Sequence, residues 1–147
     1  MIQRFETFTA LIARISRNIK RLKNAEMAEY GLKSPHVSCL YYLYSSPGLT
    51  ATDLCDRCGE DKATVSRTLD HLRDMKLILK SGDGTKRYKS PLKLSAKGRE
   101  LGGKIYDRVS GILDEVGHGL TEEERIDFYR ALSVVSDNLD RVGRPAD

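Results

Sequence analysis

The chain has 147 residues, 39% hydrophobic and 31% charged, with a net charge of +4. That bounds it to one domain, or one domain with an appended dimerisation element, and suits a soluble protein with a modest core. No apolar run approaches the roughly 18 residues of a membrane span, and the opening Met-Ile-Gln-Arg-Phe-Glu-Thr-Phe lacks a signal-peptide layout, so a cytoplasmic location without a membrane partner is expected.

A first helix is expected over about residues 3–30. Phe5, Phe8, Ile12, Ile15, Ile19 and Leu22 follow a 3-4-3-4-3 spacing, one continuous apolar seam. Gly31 ends it. A second helix starts at Ser34, read as an N-cap, with Pro35 at the first helical position. It carries Val37, Leu40, Tyr41, Leu43 and Tyr44, and Pro47 and Gly48 stop it. Thr50 with Asp53 forms a capping box for a short third helix, whose Leu54, Cys55 and Cys58 share one face. Gly59 breaks that helix and Asp61 starts a fourth, running to about Met75, with Val65, Leu69 and Leu72 on its buried side.

A strand is expected at residues 77–80, a turn at 81–84 and a returning strand at 86–94. Pro91 weakens a central strand but is tolerated on an edge. Ser95 can cap a long helix carrying Leu101, Ile105, Val109, Ile112 and Val116, closed by Gly117 and Gly119. Thr121 and Glu124 make another capping box, and the last helix carries Phe128, Leu132, Val135, Leu139 and Val142 at 4-3-4-3 spacing. The fold class expected is mainly α with a small β-wing: a winged helix-turn-helix over residues 34–98, and N- and C-terminal dimerisation helices over residues 1–30 and 99–147. A central module of about 50 residues cannot bury three more amphipathic helices alone. Packing the terminal helices together and against a second copy solves this, which predicts a homodimer.

Charge is unevenly spread. Residues 99–147 hold 7 basic and 11 acidic residues, whereas residues 50–98 hold 11 and 7. Within residues 76–97, Lys76, Lys80, Lys86, Arg87, Lys89, Lys93 and Lys97 face a single acid, Asp83. Such a cluster reads as a polyanion footprint or as a solvated hairpin. The exposed side of the fourth helix presents Lys62, Ala63, Thr64, Ser66 and Arg67, groups suited to phosphates and base edges. Arg67 is the candidate for a bidentate guanine contact; a phosphate clamp or an ion pair with Asp70 or Asp74 is the alternative. The wing offers Arg87, with Lys86 and Lys89 as phosphate contacts. Double-stranded DNA is therefore the expected partner.

Cys55 and Cys58 form a C-x-x-C, but two thiols are too few for a closed zinc site, and neither a metal nor a cofactor is expected. Their positions suit small core residues; a thiol-based redox switch involving Cys39, Cys55 or Cys58 is the alternative. His36, His71 and His118 are far apart in sequence, and no nucleophile elbow, phosphate loop, dinucleotide fingerprint or zinc-protease motif occurs, so no catalytic residues and no enzymatic activity are expected.

The order of Pro47-Gly48-Leu49-Thr50, Asp53-Leu54, Gly59, the run from Asp61 to Leu72, Met75-Lys76-Leu77-Ile78 and Leu94-Ser95-Ala96-Lys97-Gly98 resembles the MarR family of dimeric winged-helix transcription regulators. The resemblance covers nearly the whole chain. It implies a homodimer on a pseudo-palindromic operator, usually as a repressor, released by a small phenolic, lipophilic or oxidising signal. Members often carry an Asp-Arg-Arg type wing tip; here Lys86 replaces the acid that braces the wing arginine, Arg87. The resemblance also places an effector pocket where helices one, two and five meet the DNA lobe. Candidates there are Arg14, Arg17, His36, Cys39 and Tyr41, a set suited to a small aromatic carboxylate. The competing class is a winged-helix protein-interaction adaptor.

Overall fold

The computed structural model describes residues 3–4, 6–79 and 89–145. Expectations that fall on Phe5 and on residues 80–88, and with them the roles given to Lys86 and Arg87, lie outside the described residues. Among those described, six α-helices follow one another: α1 (Ile12–Glu26), α2 (Ser34–Ser45), α3 (Ala51–Cys58), α4 (Lys62–Asp74), α5 (Ala96–Val116) and α6 (Glu122–Val142). The chain divides into two compact units, Met1–Asp107 and Arg108–Asp147.

In the first unit the expected continuous N-terminal helix is interrupted. A π-helical turn (Glu6–Leu11) leads into α1, and a 3-10 turn (Ala28–Tyr30) follows it. The break falls at Met27, at φ −115° and ψ 11°. Its side chain is buried, and its carbonyl accepts from the Tyr30 and Leu32 N–H groups at 3.1 and 3.2 Å. Burying that side chain and closing those two bonds turns the chain out of the helix. Gly31 then takes the left-handed conformation, φ 68°, as expected of the terminating residue.

The cap of α2 also differs from expectation. Lys33, with an extended backbone, is the N-cap, and Ser34 already lies in the helix. The Ser34 N–H donates to Asn24 Oδ1 of α1 at 2.6 Å, while the Lys33 N–H donates to His36 Nδ1 at 2.9 Å. Contact with α1 thus supplies a partner for the first N–H of α2. Val37, Cys39, Leu40 and Leu43 of α2 are buried. Tyr44 is exposed.

The helix-turn-helix forms as the sequence suggests. The Thr50 N–H donates to Asp53 Oδ2 at 2.8 Å and the Asp53 N–H to Thr50 Oγ1 at 3.2 Å, a reciprocal capping box. Gly59, φ 62°, ends α3. Asp61 Oδ1 then accepts the Thr64 N–H at 2.7 Å and starts α4. Val65, Leu69 and Leu72 are buried as expected, and Thr68 joins them. It bonds back to the Thr64 carbonyl at 2.8 Å, which satisfies its hydroxyl. One expectation fails on α3: Ala51 and Leu54 fill the core, whereas Cys55 and Cys58 are partly exposed. A helix of eight residues has one short buried stripe, and Ala51 and Leu54 occupy it.

After α4, Lys76 adopts φ 59°, and the Leu77 N–H donates to the Leu72 carbonyl at 2.9 Å. Ile78 pairs antiparallel with Leu94. The Leu79 N–H reaches the Lys93 carbonyl at 2.9 Å, the Ser95 N–H the Leu77 carbonyl at 3.0 Å, and the Leu92 N–H the Leu49 carbonyl at 2.8 Å. These bonds close the base of the expected hairpin and tie it to the segment before α3. Pro91 is exposed there, as an edge position allows. Ser95 Oγ accepts the Gly98 N–H at 3.0 Å and donates to the Lys76 carbonyl at 2.7 Å. Gly98 packs so closely on the Leu77 backbone that any Cβ would collide with the Leu77 carbonyl oxygen. The glycine is fixed by that approach, not by its own conformation.

The second unit holds the end of α5, a turn and α6. Gly119 takes φ 92°. Thr121 and Glu124 form the expected capping box, at 2.8 and 3.1 Å. No residue of α6 is buried, and none of α1 is either. Their apolar seams are formed but uncovered. No described helix is long and apolar enough to cross a membrane.

Candidate nucleic-acid interface

The buried stripe of Val65, Leu69 and Leu72 fixes how α4 is rotated about its axis, and so decides which residues face outward. Lys62, Ala63 and Arg67 are exposed, and Thr64 and Ser66 are partly so. All five expected contact residues therefore occupy the free side of one helix, within its first two turns. Arg67 Nη2 donates to Thr64 Oγ1 at 3.3 Å, which lays the guanidinium along the helix surface. Asp70, one of the expected alternative partners of Arg67, is held by Arg73 Nη1 at 3.2 Å.

The start of α4 is electrostatically mixed. Its first N–H groups favour an anion, but the Asp61 carboxylate already accepts the Thr64 N–H. That bond, and a further one to the Thr64 side chain, hold the Asp61 carboxyl below its ordinary range, with a smaller contribution from Arg67. The first N–H groups of α4 are thus partly satisfied within the chain. Lys62 and Arg67 are the exposed cations of its first two turns.

The other end of the basic stretch lies around the Ile78–Leu94 bridge. Lys76, Lys89, Lys93 and Lys97 are exposed. Lys97 Nζ reaches the Met75 carbonyl at 3.4 Å, at the end of α4.

The five residues expected to line an effector pocket face different neighbours. Arg14 and Arg17 are exposed on α1. His36 packs against His71 of α4, with ring centroids 4.5 Å apart and planes tilted by 34°. Burial, then the nearby His71 and Lys33, lowers the His36 pKa. Cys39 is buried, and the neighbouring Cys58 and burial push its thiol up. Tyr41 stacks on Tyr106 of α5, with centroids 5.5 Å apart and planes 15° from parallel. Three of the five lie on α2 at positions 36, 39 and 41, whose 100° steps spread them round the helix.

Sequence reasoning missed a groove beside Tyr106. It has a volume of about 940 Å³, with walls that include Tyr44, Arg99, Lys104 and Tyr106. Gly102 and Gly103 allow α5 to approach the Tyr44 side chain, whose nearest atoms lie 3.0 and 3.5 Å from where their Cβ atoms would be. Only the glycine pair hinted at a close helix contact; Tyr44 and Tyr106 are too far apart in sequence for any periodicity to join them.

Residues 30–87 match the MarR family model. This stretch of the chain is thus similar to the MarR family. Solved structures of the same fold extend the likeness beyond those residues. A MarR-family transcriptional regulator from Silicibacter pomeroyi is 25% identical, with a TM-score of 0.72 over 93% of this chain and 90% of that one. MepR of S. aureus, solved as a complex with DNA, is 22% identical, with a TM-score of 0.78 over 90% and 97%. The Mycobacterium tuberculosis MarR-family protein Rv2887, in complex with p-aminosalicylic acid, is 24% identical, with a TM-score of 0.64 over 86% and 96%. No curated protein matches the sequence. The family-model match takes in the whole helix-turn-helix, from before α2 to beyond α4.

Proposed function

We propose that the chain is a DNA-binding transcription regulator that acts as a homodimer. Residues 34–98 form the DNA-binding region, and residues 1–30 and 99–147 the dimerisation region. The observation that carries this reading is the outer side of α4. There Lys62, Ala63, Thr64, Ser66 and Arg67 are displayed together on a helix whose opposite side is locked into the core. Arg67 reads a guanine in the major groove, Lys62, Thr64 and Ser66 contact phosphates and base edges, and Ala63 meets a thymine methyl. Lys86, Arg87 and Lys89 of the wing grip the neighbouring backbone and minor groove. The fold shared with a protein solved on DNA supports the same direction. The uncovered seams of α1 and α6 support a second copy. A dyad would present two α4 helices roughly 34–36 Å apart, one turn of a pseudo-palindromic operator. The family resemblance implies repression, and a cytoplasmic, non-enzymatic protein.

The test is binding to the intergenic DNA beside the protein's own gene, against random DNA, from about 50 to 200 mM salt. Affinity should be sequence-selective and fall steeply with salt, as counterion release requires. Arg67→Ala should cost about 1–3 kcal/mol and relax selectivity at one base position. Equal affinity for random DNA, or an Arg67→Ala variant that binds as the parent does, would overturn the assignment and favour the protein-interaction adaptor.

Release by a small aromatic or lipophilic effector is a second reading, favoured by the groove beside Tyr106. Arg99 and Lys104 there offer cations to a carboxylate, and Tyr44 and Tyr106 offer aromatic walls, with Tyr41 stacked behind. A relative of the same fold was solved with an aromatic carboxylic acid.

A further inference from the structure

His36 and His71, far apart in sequence, meet where α2 packs against α4, with ring centroids 4.5 Å apart. His36 is partly buried and His71 is exposed. Nδ1 of His36 accepts the Lys33 N–H at 2.9 Å, the reciprocal bond of the α2 cap. An accepting ring nitrogen carries no proton, so this bond fixes His36 as the neutral ring with its proton on Nε2. His71 lies in the last turn of α4, next to the fully buried Leu72. Its carbonyl accepts the Met75 N–H at 3.0 Å, at the end of the helix.

Three effects oppose a proton on His36. Nδ1 would become a donor facing the Lys33 N–H, and the cap bond would be lost. The charge would lie in the first turn of α2, where the helix dipole disfavours a cation. A charged His71 would face it across 4.5 Å. Burial, then His71, then Lys33 hold the His36 pKa below its ordinary value. The other elements packed against α2 direct their cations elsewhere. Lys23 of α1 donates to Ser38 Oγ at 2.9 Å, and Arg57 of α3 lies over the Tyr42 ring, 5.9 Å from its centroid. On α4, Arg67 and Asp74 lie one turn before and after His71, and Asp70 pairs with Arg73.

We propose that His36 and His71 form an acid-sensitive latch between α2 and α4: neutral, the pair holds α4 against α2, and protonation opens it and weakens DNA binding. The proton comes from solution to Nδ1 of His36, and the Lys33 hydrogen bond is given up for it. A base whose pKa is lowered by folding takes up protons first in the unfolded chain. The fold therefore loses stability as pH falls from the ordinary histidine value of about 6.5 towards the lower folded value. Above about pH 6.5 the ring is neutral in both states and the latch is closed.

The consequence follows from how α4 is held. Val65, Leu69 and Leu72 face the core, and the last turn reaches α2 through His71. Loosening that end lets the helix tilt about its buried stripe, and Lys62 and Arg67 at the other end move with it. A DNA site that needs one orientation of α4 then binds more weakly in acid. That is opposite in sign to the general effect of added positive charge, which strengthens attraction to phosphate.

Only this last step rests on the DNA-binding reading. The test compares about pH 7.5 with about pH 5.5, both above the range in which ordinary carboxylates titrate. Histidine NMR follows the rings, urea unfolding follows the fold, and operator affinity at constant salt follows the site. His71→Gln should raise the His36 midpoint. His36→Gln keeps an acceptor for the Lys33 N–H without a titrating ring. The parent should lose stability between the two pH values and lose affinity about 5–150-fold, the usual size of a coupling between sites. His36→Gln should match the parent at the higher pH and keep both stability and affinity at the lower. A His36 midpoint indifferent to His71→Gln, or the same acid loss of stability in the parent and His36→Gln, would overturn the latch. Affinity that holds or rises in acid, in a parent that binds DNA, would overturn its effect on the site. If the parent binds no DNA at either pH, the regulator reading fails and the last step with it, while NMR and unfolding still decide the latch.

Discussion

Helices α4 and α6 are built from the same local instructions and meet opposite fates. Both repeat apolar residues at spacings of three and four, and both begin at a side-chain cap, Asp61 for α4 and Thr121 for α6. In α4 the seam is sealed: Val65, Leu69 and Leu72 are 1%, 2% and 0% exposed. In α6 it is open: Phe128, Leu132 and Leu139 are 47%, 43% and 52% exposed. Periodicity and capping decide that a helix forms and which side is apolar. They do not decide what covers that side. The cover for α4 comes from its own chain, through α2 and α3; the cover for α6 has to come from outside the segment, and a second copy of the chain is the reading proposed here.

The contrast can be broken first at its sealed end. Leu72→Ala removes a fully buried side chain and should destabilise the fold by about 2–5 kcal/mol. Urea unfolding should show the same loss at every protein concentration, since the contacts lie within one chain. A loss that vanishes on dilution would mean that the α4 core, too, depends on a partner.

At the open end the effect should be smaller for the single chain and should depend on concentration. Replacing both Phe128 and Leu132 with alanine should raise the dimer dissociation constant about 10–100-fold, because truncating a central interface anchor costs ~2 kcal/mol or more. Sedimentation at several concentrations reads this directly. Parent protein that sediments as a monomer throughout would remove the dimer from the account.

The smallest effect sharpens the comparison at the caps. Asp53 and Asp61 both lie below the ordinary carboxylate range, because N–H groups of Thr50 and Thr64 donate to them in the folded state. A carboxylate lowered by folding stabilises above its unfolded pKa of about 4 and loses that contribution as pH falls through its folded value. Helicity of the parent should therefore become slightly more sensitive to denaturant below about pH 4. Asp61→Asn keeps a capping oxygen without the charge, so it should match the parent at neutral pH and show a shallower acid decline. An equal decline in both would show that Asp61 does not contribute to it.

Much of this was legible along the chain. The capping boxes at Thr50 and Thr121, the turn glycines at 31 and 59, and the buried stripe of α4 are local features, set by dihedral preference and by spacings of three to four residues. Because that stripe fixes the rotation of α4, the outward placement of Lys62, Ala63, Thr64, Ser66 and Arg67 was legible with it. What failed was equally specific. Ser34 lost its capping role because Asn24 of α1 reached its N–H, and the first helix broke at Met27 because a buried side chain and two backbone bonds outweighed the continuous seam. Tyr106 met Tyr41 and Tyr44 across more than 60 residues. The sequence alone determined the helices, their ends and their apolar sides, since each depends on groups within one or two turns. Tertiary structure alone decided which rings meet, because those contacts depend on how whole helices pack and leave no period in the chain.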